Sequence, residues 1–96
     1  MERESRTMSI SHKAFLLSLE PLKRYYPVSV EEQGKRVVLR SDGLVVEIRL
    51  NVEQPITLGA LSMPSMKVDF SFPVASPEEK ARFWSRFELC FRRGGG

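Results

Sequence analysis

His12 is the chain's one histidine and Cys90 its one cysteine. Together they are the chain's candidate for a thiol nucleophile and its imidazole base. A cysteine nucleophile needs a base within reach and a lowered thiol pKa. Cys90 falls late on a predicted helix, where the helix dipole disfavours a thiolate, and on that helix's apolar arc. His12 belongs to a different element. The pair therefore reads as a structural cysteine and a surface histidine. No Cys/His cluster has metal-ligand spacing. Glu31 and Glu32 are neighbours on a strand and point to opposite faces, and Glu78-Glu79 is explained by helix capping. General acid–base chemistry has no seat here, and the sequence predicts no enzyme, no cofactor and no metal.

Binding chemistry has more candidates. Arg82, Arg86 and Arg93 project from one sector of the last predicted helix, spaced to track phosphates on a polyanion. The same helix carries acids in its first turn and bases in its last, which the helix dipole favours with no ligand present. Residues 80–93 hold five lysines and arginines against one glutamate, so they account for the net charge of +3. Tyr25 and Tyr26 beside Lys23 and Arg24 have the composition of a base-stacking surface; packing of Tyr26 in the core with Tyr25 at its edge is the competing reading. Gly94-Gly95-Gly96 could thread a narrow enzyme channel as a carrier's tail does, or simply follow a helix end. The Leu58–Met66 loop lacks a phosphate-cradling pattern.

The elements that position these residues follow from periodicity. Ser9 or Ser11 caps a short helix running toward Pro21, with Ile10, Phe15, Leu19 and Leu22 on one face. From Tyr25 the period is two: Tyr26, Val28 and Val30, then Val37 and Leu39, then Leu44, Val46, Ile48 and Leu50. Gln33-Gly34 and Asp42-Gly43 supply the turns. Residues 52–65 are broken by Pro55, Gly59 and Pro64, with a short strand at 56–58. Met66, Val68, Phe70 and Phe72 mark the clearest strand, closed by Pro73. Ser76-Pro77-Glu78-Glu79 then starts a helix with a capping box. Phe83, Trp84, Phe87, Cys90 and Phe91 fall within a 120° arc and must cover the sheet.

The predicted fold is α+β: an antiparallel meander of three to five strands, a short N-terminal helix, and a C-terminal helix on one face. Residues 1–8 read as a flexible arm, 9–93 as one domain and 94–96 as a glycine tail. Ninety-six residues suit one core, and 42% apolar with 28% charged residues exclude a wholly disordered chain. No apolar run approaches the roughly 20 residues of a membrane span, and no apolar stretch of signal-peptide type is expected after the charged residues Met1–Arg6. With one cysteine, a reducing cytoplasm is the default compartment.

The function these features predict is a non-catalytic module that binds a protein partner or itself, in the latter case as a homodimer, through the sheet's uncovered surface, with Tyr25, Val38, Val45 and Leu61 as its contacts. Nucleic-acid or polyanion binding through Arg82, Arg86 and Arg93 is the alternative, and a C-terminal carrier the third reading. Neither a membrane nor a small-molecule substrate is expected.

Overall fold

The last helix starts where its cap predicts. Ser76 Oγ accepts from the Glu79 amide at 3.2 Å, and the first helix, His12–Ser18, is capped likewise by Ser11. A computed structural model describes residues 2–92. In chain order the elements are β1 (Glu2–Met8), α1 (His12–Ser18), β2 (Val28–Glu31), β3 (Arg36–Ser41), β4 (Leu44–Leu58), β5 (Leu61–Ala75) and α2 (Pro77–Arg92). The strands form one antiparallel sheet in the order β1-β5-β4-β3-β2. This is the α+β class that the sequence predicts.

One face of the sheet carries the core. Leu44, Val46, Ile48 and Leu50 of β4 and Met66, Val68, Phe70 and Phe72 of β5 are buried, with Val37 and Leu39 of β3, in one cluster with residues of both helices. The predicted aromatic arc does the covering. Phe83 and Phe87 are buried, and their rings pack edge-on or tilted against Phe70, Phe72 and Trp84. Phe91 stacks at 5.0 Å on Phe15 of α1, which joins the two helices over the sheet. Ile10, Phe15, Leu19 and Leu22 are all buried, as one face requires. Pro21 ends the α-helical geometry, but the chain continues as a 3-10 turn over Glu20–Arg24.

Three local expectations change. Residues 2–8 are not an arm: they pair with β5 from Glu2↔Phe72 to Met8↔Met66. Their alternation is polar, so no apolar periodicity announces the strand. Arg6 secures it by lying 4.2 Å over the Trp84 ring and pairing with Glu88 of α2 at 2.6 Å. Second, β4 and β5 are fifteen residues each and absorb the irregular stretch 52–65. Third, the predicted capping box closes only halfway, because the Glu79 carboxylate pairs with Arg82. The glycine tail lies outside the described residues.

The turn before β3 is held in an unusual backbone. Glu32, Gln33 and Gly34 have φ of 51, 57 and 87° in succession, a left-handed run that costs about 1–2 kcal/mol at each non-glycine residue. His12 clamps it, with Nε2 2.6 Å from the Gly34 carbonyl oxygen. A Cβ on Gly34 would lie 2.7 Å from His12 Cε1, whereas a Cβ on Gly59, with φ of 61°, would meet nothing. Gly59→Ala is therefore expected to lower stability by about 1 kcal/mol from backbone strain alone. Gly34→Ala should lower it by about 2–4 kcal/mol, since steric displacement of His12 adds to strain. Urea unfolding midpoints of the two variants check the order.

Candidate interaction site

Beyond Leu50 and Met66 the sheet narrows to two strands. The pairing of β1 with β5 ends at Met8↔Met66, and that of β3 with β4 ends at Arg36↔Arg49. From there β4 and β5 project as an unflanked ribbon, and the molecule measures 47 Å along its longest axis against 24 Å across. All residues from Asn51 to Ser62 are exposed.

A bulge sets which side chains share a face of this ribbon. The register runs Glu53↔Ser65 and then Ile56↔Met63, so β4 holds one residue more than β5 over this step. Without that residue Ile56 would oppose Ser62, and Thr57 would oppose Leu61. The shift instead aligns Ile56 with Met63, Leu58 with Leu61, and Thr57 with Ser62. Opposed residues share a face and alternate along each strand. One face of the tip is therefore Ile56, Leu58, Leu61 and Met63, and the other is Thr57 and Ser62. The shift also leaves a two-residue loop, Gly59-Ala60. Its positive φ at Gly59 is what a type II′ hairpin turn requires at its first position. Leu58 and Leu61 remain 60% and 67% exposed. The thirteen residues from Gln54 to Met66 include no Asp, Glu, Lys or Arg.

The ribbon's edges are open but guarded. Each strand places a proline at the bulge, Pro55 on β4 and Pro64 on β5. Proline has no amide to donate, which blunts strand addition at an edge. The apolar face, rather than either edge, is what the ribbon offers.

The four predicted contact residues are not brought together. Leu61 stands at the hairpin tip. Tyr25 is exposed beside α2, with the Arg86 guanidinium stacked 4.0 Å over its ring. Val45 is half-buried near the start of β4. Val38 lies on the uncovered face yet is only 1% exposed. Its cross-strand neighbours are Ser29 and Glu47, and Arg36 bridges the same three strands through Glu31 and Glu47. Long polar side chains thus lie alongside it and exclude water. A single contact surface through these four residues is not what the chain builds.

The arginine stripe is engaged within the fold. Arg82 pairs with Glu79. Arg86 donates to the Tyr26 hydroxyl at 3.1 Å in addition to stacking on Tyr25, and Tyr26 is buried. Arg93 lies outside the described residues. On the uncovered face, Arg3, Ser5, Glu47, Arg49, Lys67, Asp69 and Ser71 line a cleft of about 500 Å³ with both signs of charge. Asp69 there accepts from Ser5 Oγ and Asn51 Nδ2.

His12 and Cys90 share no hydrogen bond among the described residues: His12 holds the Gly34 carbonyl, and Cys90 packs half-buried against the core. Burial pushes the Cys90 thiol pKa up, away from the thiolate a nucleophile needs. No helix among the described residues is long and apolar enough to cross a membrane. No protein-family model matches the chain, and no curated protein matches its sequence.

The signal for the ribbon was present in the sequence. A charge-free run spanning Gly59-Ala60, with apolar residues stepped by two on each side, is an amphipathic hairpin once one bulge is allowed. The raised thiol pKa also fixes a sign. The folded state favours neutral Cys90, so its contribution to stability is present below the unfolded thiol's pKa and is lost as pH rises through the higher folded value. Iodoacetamide at mildly alkaline pH is accordingly expected to alkylate Cys90 at least tenfold more slowly in native protein than in urea, as mass spectrometry would record.

Proposed function

We propose that this protein acts by association rather than by catalysis, and that the hairpin tip of β4 and β5 is its contact element. The observation that carries the reading is the apolar face of exposed Ile56, Leu58 and Leu61 with half-buried Met63, on a stretch of the chain that carries no charge. An aliphatic strip of this kind is unfavourable in water and marks a binding surface when contiguous. An isolated two-stranded ribbon is marginal by itself, so a chain that projects one has a use for its face. The rest of the molecule supports the ribbon without sharing its chemistry. The core is closed by α2, Arg82 and Arg86 are engaged internally, and the cysteine is drawn into the core's edge.

The double variant Leu58→Ser/Leu61→Ser tests this. Both side chains are exposed, so unfolding stability should change by no more than about 0.5 kcal/mol. In the producing organism the variant should reproduce deletion of the gene while protein level stays normal, and Cys90→Ser should be silent. A silent hairpin variant, together with a Cys90 variant that behaves as the deletion, would overturn the reading.

A further inference from the structure

The end of the molecule from which the ribbon projects has a second property. Lys67 stands at the ribbon's neck, opposite Asn51. Lys35 lines a cleft there with His12, Gln33, Leu50, Asn51 and Val52, and its carbonyl accepts from the Leu50 amide. Lys13 follows His12 on α1, which the His12–Gly34 contact fixes against the same turn. All three lysines are exposed, and no ion pair engages them among the described residues. Glu53 is the one acid on the ribbon itself, and the neighbouring Glu32 is paired with Arg36 and Arg49. An uncharged aliphatic tip thus rises from a collar of three lysines, with Glu53 between tip and collar and Asp69 beside Lys67 in the cleft of the uncovered face.

We infer that the hairpin tip and its lysine collar dock on an anionic lipid surface, the tip entering the interface while Lys13, Lys35 and Lys67 face the headgroups. This rests on the reading that the hairpin is the contact element, and it names the partner. Two features fit. The apolar part of the ribbon, from Ile56 and Met63 to the turn, is about 10 Å long at the rise of a β-strand, which matches the depth of the headgroup and acyl boundary. At that depth the unpaired edge amides and carbonyls still meet headgroups and water, whereas the hydrocarbon core would leave them unsatisfied. Contact of this kind is peripheral and needs no spanning segment.

A second copy of the chain fits less well. Four aliphatic side chains on a two-stranded strip present far less than the roughly 800 Å² per partner of a standard interface. Overlapping two ribbons also brings two lysine collars toward each other. The lipid surface complements both the apolar tip and the charge.

Co-sedimentation of the full chain with vesicles decides this. Binding is expected to phosphatidylcholine vesicles containing phosphatidylserine and not to phosphatidylcholine alone, and to weaken as salt is raised. Leu58→Ser/Leu61→Ser should lower partitioning at least tenfold. Lys35→Gln and Lys67→Gln should each lower it about fivefold, the effect of one basic residue near an anionic surface. Equal or absent binding to the two vesicle types would overturn the inference, as would full binding by the tip variant. Sedimentation velocity without lipid separates the two readings. Self-association abolished by the tip variant, with no vesicle binding, would retain the hairpin as contact element and replace lipid by a second copy.

Discussion

The structure depends on the packing of one aromatic helix face against two strands. Phe83 and Phe87 of α2 meet Phe70 and Phe72 of β5, with Trp84 at the rim and Phe91 reaching Phe15 of α1. Burying each ring is worth about 1.5–3 kcal/mol, and oriented ring pairs add about 0.5–1.5 kcal/mol. Only the strand segments beneath this cluster share in that stabilisation. The edge strand β1 contributes few buried side chains. It is held by its ladder and by Arg6, whose guanidinium joins Trp84 and Glu88 of α2. Burial alone would lower the Arg6 pKa, but its hydrogen bonds and attraction to Glu88 and Glu4 outweigh that and raise it. It therefore stays charged in its place over the indole.

The same constraint explains the ribbon. A sixteen-residue helix spans about 24 Å at 1.5 Å per residue, whereas fifteen-residue strands run to about 45 Å. The helix covers about half of β4 and β5, and the remainder must stand in solvent. Selection of side chains follows this division. Under the helix the inward positions are Leu, Val, Ile, Met and Phe; past Met66 Glu53 is the last charge, the edges acquire prolines, and the aliphatic residues collect on the face that the bulge defines. The left-handed turn at Glu32–Gly34 and its His12 clamp stand at the junction of the two regions, beside Leu50 and Val52.

Much of the covered half was legible in the sequence because burial writes a period. The aromatic arc of α2, its Ser76 cap, the alternation of Leu44 to Leu50 and of Met66 to Phe72, and the face formed by Ile10, Phe15, Leu19 and Leu22 all appear where the spacing predicts. What escaped was structure that rests on backbone pairing. Residues 2–8 alternate polar side chains and join the sheet through their amides and Arg6. Pro55, Pro64 and Pro73 read as strand ends, yet each falls at an irregularity in the β4–β5 register, where no ladder amide is required. Val38 looked like an outward apolar contact because alternation places it on the open face; the flanking Arg36 network shelters it. Of the contact residues that the sequence suggested, Leu61 alone lies on the ribbon's apolar face.

Amide hydrogen exchange resolved along β4 and β5 tests most directly whether the sheet divides into a clamped base and an unsupported ribbon. Amides of 46–50 and 67–72 that are bonded within the ladder should exchange near the rate set by global unfolding, and protection should fall by orders of magnitude over 52–63. Uniform protection along both strands would contradict the account, because it would mean that the ribbon is already covered in the isolated protein.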